Sequence, residues 1–322
     1  MNKKTSRRQV IVGTVACLFG NSAQSQVAGN PRANLGVGAP LAGVRIFPED
    51  NPWNRDISTL PRDRASTALL ARIGLNKPLH PDFGTVYAGV PNGIPYVVVD
   101  GSQEKVPVRF EFSEESDPGP YPIPPDAPIE GGPTGKGDRH VLIIDRDSRK
   151  LYEVFSAHLE RGGKSWAAGS GAVFDLNSNK LRPAGWTSAD AAGLPIFPGL
   201  ARYEEAASGI IKHAFRFTLV HTRRAYVPPA RHFASMRRDA DLPPMGMRVR
   251  LKASYSIDQF PPQARAIAQA LKTYGMILAD NGSDFYVSGS PDPRWNDDDL
   301  GTLKRVKVED FEVVAMGKVV MD

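Results

Sequence analysis

The chain has 322 residues, 41% of them hydrophobic, with 40 Lys+Arg against 35 Asp+Glu for a formal charge of +5. A chain of this length can bury a large core without disulfide staples. Its first 25 residues hold four basic side chains and no acidic one, so the remainder is 36 against 35, and a nucleic-acid function loses its electrostatic support.

Residues 1–25 read as an export signal. Lys3, Lys4, Arg7 and Arg8 form a basic head, 10–20 is apolar, and Ala23-Gln24-Ser25 is a small-x-small cleavage site. The apolar run is too short for a spanning helix, so no membrane span is expected. Thr5-Ser6-Arg7-Arg8-Gln9-Val10-Ile11 also resembles a twin-arginine signal, and the expected location is periplasmic or secreted. The single cysteine, Cys17, lies in this segment. Thr14-Val15-Ala16-Cys17 resembles a lipoprotein box, with Thr14 departing from the usual aliphatic residue. Without lipidation the exported chain has no cysteine for a disulfide, a thiolate metal site or a nucleophile.

Residues 26–42, rich in Gly, Asn and Ala, read as a flexible lead-in to a single β-rich domain over 43–322. Helical spacing covers 62–73, with Gly74 as the stop. From Ile94 the period becomes two: 94–99, the turn Asp100-Gly101, and 105–112 predict a hairpin. Residues 113–139 carry too many prolines for a central strand or helix, and predict a strap over the sheet or one wall of a cleft. Strands are predicted at 140–145, 151–157, 210–222 and 245–255, with half-polar alternation that suggests antiparallel sheet. A second helix is expected over 262–274, opened by Pro262 and closed by Gly275. Residues 276–279 and 285–287 suggest another hairpin, Asn296 a cap for a short helix, and 311–316 a last strand. The expected fold is mainly β: an antiparallel β-sandwich or jelly-roll with two or three minor helices and long Pro/Gly-rich loops.

The stretch 169–199 combines one short strand pattern with dense turn residues, which predicts a site-bearing loop. It holds two carboxylates, Asp175 and Asp190, with Trp186 between them. Glycoside cleavage needs an acid of raised pKa and an ionised partner, and the candidates are Asp175, Asp190 and Glu153. Glu153 shares a strand face with Leu151 and Phe155, so it is either buried with a raised pKa or on an outward face beside exposed apolar groups. The alternative role for Asp190 is first-turn helix stabilisation with Ser188 as N-cap. Asp280 and Asp284 bracket a turn and read as turn formers.

The tryptophans Trp53, Trp166, Trp186 and Trp295 sit outside periodic segments, and Trp166 and Trp186 are the candidates for stacking on sugar rings. His221, Arg224, Tyr226 and His232 form a second candidate set, suited to holding an acidic sugar during β-elimination. His213 and His221, roughly 26 Å apart on a straight strand, cannot share one metal, and no His pair has zinc-site spacing, so no metal or cofactor is expected. Asp175-Leu176-Asn177-Ser178-Asn179 matches the start of a calcium loop but lacks its Gly and Glu. A looser structural Ca²⁺ at Asp175, Asn177 and Asn179 is the alternative. There is no nucleophile elbow, P-loop or dinucleotide fingerprint.

Asp138 to Asp145, Phe174-Asp175-Leu176-Asn177-Ser178-Asn179, the run from Gly185 to Pro195, and Ala279-Asp280-Asn281-Gly282-Ser283 together resemble a family of exported bacterial proteins that share these strings. The resemblance covers Ile46 to the C-terminus and carries no activity or catalytic residues with it. The expected function is a secreted polysaccharide-active enzyme, most simply a glycoside hydrolase. The alternatives are a lyase on uronic-acid polymers and a non-catalytic glycan-binding or envelope protein.

Overall fold

Alternating apolar residues build two large sheets that share a main core in the computed structural model, which describes residues 35–41 and 44–321. The first sheet orders five strands as Gly36–Val37, Tyr96–Val99, Val141–Asp145, Lys150–Phe155 and Ser170–Asp175. The second orders six as Phe311–Val313, Arg248–Leu251, Met276–Asn281, Phe215–Leu219, Tyr286–Ser288 and His80–Asp82. The fold is mainly β, as its sequence pattern implies, with four α-helices among the described residues. Its pairing is mixed: Tyr96–Val99 runs parallel to Val141–Asp145, and Phe215–Leu219 parallel to Met276–Asn281. The stretch 1–25, read as an export signal, lies outside the described residues. Within the stretch read as a flexible lead-in, Gly36 and Val37 pair with Val98 and Val97 and extend the first sheet.

Strand alternation sends the first sheet's side chains to two different interiors. Val98, Leu142, Ile144, Leu151 and Phe174 join the main core with Phe215, Phe217, Val249, Leu278 and Phe311 of the second sheet. Val97, Val99, Val141, Ile143, Tyr152 and Val154 face a smaller core closed by Tyr121, Ile123 and Trp166. The Pro-rich stretch is thus a strap: Val106 bridges Tyr121, and Tyr121 and Ile123 are buried beneath it. Covering both faces explains why these strands are apolar on both sides.

Both predicted helices form. Ser66–Ile73 buries Leu69, Leu70 and Ile73, and Gly74 donates to the Leu70 carbonyl at its end. Pro262–Thr273 starts with Pro in its first turn and buries Ala264, Ile267, Ala268 and Leu271. Asn296 caps Asp297–Gly301 by accepting from the Asp299 amide. Two hairpins change partners. Val108–Phe110 pairs with Trp166–Ala168 rather than with Tyr96–Val99. Phe215–Leu219 lies between Met276–Asn281 and Tyr286–Ser288, which both pair with it instead of with each other. Short-range turn chemistry was outweighed there by Phe215 and Phe217, which must both reach the core.

Candidate functional site

The polar side of Phe215–Leu219 faces a cavity rather than bulk water. Arg216, between two fully buried phenylalanines, is itself buried. Its guanidinium grips Asp190 with two hydrogen bonds, 3.2 Å from Nε to Oδ2 and 3.0 Å from Nη2 to Oδ1. Nη1 donates to Ser288 Oγ at 2.6 Å, and Asp280 Oδ2 lies 3.8 Å from Nη2. A buried cation of this kind is stable only when paired, and here all three guanidinium nitrogens donate a hydrogen bond.

Asp190 reaches this position because the 169–199 loop runs inward. Leu176, Ala189, Ala192, Leu194, Ile196 and Phe197 are all buried. Ser188 does not cap a helix: its Oγ accepts from the Asp190 amide in a local turn and donates to the Leu194 carbonyl. Asp280, at the end of Met276–Asn281, accepts from the Asn281 amide at 2.7 Å and the Ala191 amide at 3.4 Å. The Asp190 and Asp280 carboxyls flank the same Arg216 guanidinium, so their charges act on each other. Burial first, and the Asp190 charge second, push Asp280 up to about 7. Asp284 is a turn former: it accepts from the Val220 amide and pairs with Lys77. Asp280 is more than that.

His140 sits across the same cavity. Its Nδ1 lies 2.6 Å from Glu130 Oε2 and its Nε2 3.0 Å from the Ala189 carbonyl. Both nitrogens therefore face acceptors, an arrangement that only the imidazolium satisfies. Burial opposes the charge, yet the Glu130 carboxylate wins and raises His140 to about 9. Glu130, though desolvated, is held below its ordinary value by His140. Arg139, in left-handed backbone with φ 52°, donates to the carbonyls of Ala157, Pro133 and Gly135. That staple fixes the glycine-rich turn carrying Glu130 and Asp138.

The resulting cavity of about 320 Å³ is lined by Asp82, Glu130, Asp138, His140, Arg216 and Asp280, with Tyr87 and Tyr286 also in its wall. Asp82 and Asp138 are exposed to it. Partial desolvation raises both, with Glu130 adding to the rise in each. Gly93 lets the chain turn closely here: with φ +123°, a Cβ would lie 2.4 Å from the Gly289 carbonyl oxygen.

Glu153, for which the sequence left a buried and an outward position open, is fully buried on the same strand face as Leu151 of the main core. Its carboxylate accepts from the amides of Ile196 and Phe197 at 2.8–3.0 Å, and burial outweighs these bonds to raise it to about 7. It does not line the cavity. Asp175 is exposed at a strand end, accepting from the Asn177 amide at 2.9 Å. Of the three sequence candidates, only Asp190 touches residues of the cavity wall; Glu153 and Asp175 are not brought to it.

The tryptophans behave mainly as pins. Trp53, Trp166 and Trp295 are buried. Trp186 is half-buried with the Arg182 guanidinium 5.5 Å from its ring centre. Neither Trp166 nor Trp186 lines the acidic cavity. His221, Arg224, Tyr226 and His232 do not line it either. Tyr226 is sealed in the main core, Arg224 lies over Phe233, and His232 Nδ1 is 2.8 Å from the Ala191 carbonyl. In the Asp175–Asn179 turn the side-chain oxygens already meet protein N–H groups: Asn177 Oδ1 accepts from Arg149 and Asn179 Oδ1 from Asn51. Among the described residues no group of three or more His, Cys, Asp or Glu has the geometry to hold a metal ion, and no helix is long and apolar enough to cross a membrane.

No family model matches the chain, and no curated protein or solved structure matches it.

Proposed function

We propose that the protein is an exported polysaccharide-active enzyme, a glycoside hydrolase working in the acidic cavity. The observation that carries this reading is Asp280, a largely buried carboxyl on a cavity wall shared with other carboxylates, where burial and the Asp190 charge push it up to about 7. Glycosidic cleavage needs one carboxylic acid that keeps its proton and one carboxylate that has lost it. Asp280 is the acid. The ionised partner is Asp138 or Asp82, because Glu130 is committed to His140. Asp190 and Arg216 hold Asp280 in place from behind. The polar lining suits sugar hydroxyls, while Tyr87, 73% exposed, and Tyr286, stacked on His80, offer flat faces to a pyranose ring. Both His140 nitrogens are occupied, which weighs against histidine-driven β-elimination.

Asp280→Asn keeps a donor toward Asp190 but cannot release a proton. On a polysaccharide that the wild type cleaves, kcat should fall about 10²–10⁴-fold with the fold intact by circular dichroism. Wild-type activity should also be lost as pH rises through about 7, where Asp280 gives up its proton. New reducing ends are the readout. Full activity of Asp280→Asn would remove the hydrolase assignment, and glycan binding by the wild type without any cleavage would make this a binding protein.

A further inference from the structure

Beside the acidic cavity lies a second, of about 970 Å³ and opposite character. The two share Pro91 and Gly131 in their walls. The larger one is walled by prolines, among them Pro125, Pro128 and Pro133, together with Ile129 and Trp166. Val86 and Leu159, 60% and 41% exposed, also face it, so large apolar side chains that most folds would hide are gathered along one groove. Its one arginine, Arg139, has its guanidinium occupied by backbone carbonyls. The tight hairpin Val86–Tyr87 and Val90–Pro91 stands where the cavities meet, and alternation along it presents Tyr87 to the acidic side and Val86 to the apolar side.

We infer that the substrate is amphiphilic: a glycoside whose sugar occupies the acidic cavity and whose alkyl or aryl aglycone lies in the Pro-lined groove. This rests on the hydrolase reading and narrows its substrate from a purely hydroxylated polysaccharide to a sugar carrying an apolar leaving group. A polar recognition pocket that opens directly onto a desolvating apolar groove binds both halves of such a molecule and neither half well alone. A purely hydroxylated polymer would leave the groove's prolines, Val86 and Leu159 against water.

The experiment compares methyl and octyl glycosides of the same sugars, kept below micelle-forming concentrations. Binding is followed by calorimetry and by tryptophan fluorescence, to which Trp166 in the groove wall responds. Asp280→Asn serves as the binding host, so that turnover does not enter. The octyl glycoside should bind at least about tenfold tighter than the methyl one, the gain that roughly two buried methylenes supply. Val86→Asp and Leu159→Asp, both at exposed positions, should erase that gain and leave methyl-glycoside binding unchanged. Equal binding of methyl and octyl forms, or a gain that survives both substitutions, overturns the inference. An octyl chain that binds equally well on a glycosyl and on an oligoethylene-glycol head would keep the apolar subsite and remove the sugar reading of the acidic cavity.

Discussion

Two buried clusters in this protein use the same side-chain types and reach opposite electrostatic states. At the first, Glu205 stands between Arg202, 2.7 Å away, and His213, 3.1 Å away. One carboxylate faces two nitrogen bases, and although burial opposes it, Arg202 pulls Glu205 down to about 2. At the second, Asp82, Glu130, Asp138, Asp190 and Asp280 share Arg216 and His140. Acids outnumber cations, so Asp280 keeps a proton near neutral pH. What separates an inert ion cluster from one able to donate a proton is this ratio, because burial alone acts on both.

The largest effect that can break this comparison is loss of the central cation. Arg216→Gln leaves Asp190 buried without a counter-charge and should destabilise the fold by about 3–5 kcal/mol in denaturant titration. Adding Asp190→Asn should recover part of that loss, since a neutral amide needs no cation. Arg202→Gln should cost less, about 1–3 kcal/mol, because Glu205 keeps His213 and is a third exposed. Equal losses at the two sites would mean that the ratio of acids to cations does not govern them.

The comparison sharpens with pH, since the two clusters should respond in opposite windows. Asp280 binds its proton more tightly folded than unfolded, so its contribution is greatest below about 4 and declines as pH rises to about 7. The slope is at most about 1.4 kcal/mol per pH unit. Glu205 is depressed instead, so its contribution is present above 4.5 and lost as pH falls toward about 2. Partial exposure makes that acid limb shallower. Asp280→Asn should make the decline between pH 4 and 7 shallower, with the fully buried Glu153, also raised to about 7, supplying what remains. It should leave the acid limb untouched, and Glu205→Gln should do the reverse. Stability curves by urea titration at each pH decide it.

How far the sequence reveals this contrast depends on which face of a strand is read. Glu153 was half legible: its parity with Leu151 and Phe155 leaves an inward and an outward reading open, and the structure takes the inward one. Arg216 was hidden by the same rule, since a polar residue alternating with Phe215 and Phe217 reads as solvent-facing. A cavity wall and a water-facing surface have one sequence signature. Asp280 looked like turn chemistry because Asn281-Gly282-Ser283 follows it, and nothing local announces that Arg216 and Asp190 lie beneath. Glu130 and Asp138 sit in the Pro/Gly strap, where no periodicity exists to orient them. Of the two acids in the 169–199 loop, Asp190 lies against the cavity wall through Arg216, whereas the other needed the strand register to be placed. Asp175 ends an edge strand and turns outward.

Asp175 therefore gives the smallest predicted effect, and it tests the comparison from the side of an acid that belongs to neither cluster. Its carboxylate accepts one amide, from Asn177, and no cation is paired with it among the recorded ion pairs of the described residues. Asparagine retains the accepting oxygen, so Asp175→Asn should shift stability by less than about 0.5 kcal/mol and leave turnover at the wild-type level. Under the proposed hydrolase reading the matched substitution at Asp280 should remove turnover although the chemical change is the same, one oxygen replaced by an amide nitrogen. A carboxylate matters in this fold when it is both buried among others and short of cations, and Asp175, exposed at its strand end, is not buried. If Asp175→Asn abolished cleavage while Asp280→Asn did not, the chemistry would belong to the strand end and the acidic cavity would be a structural ion cluster like that of Glu205.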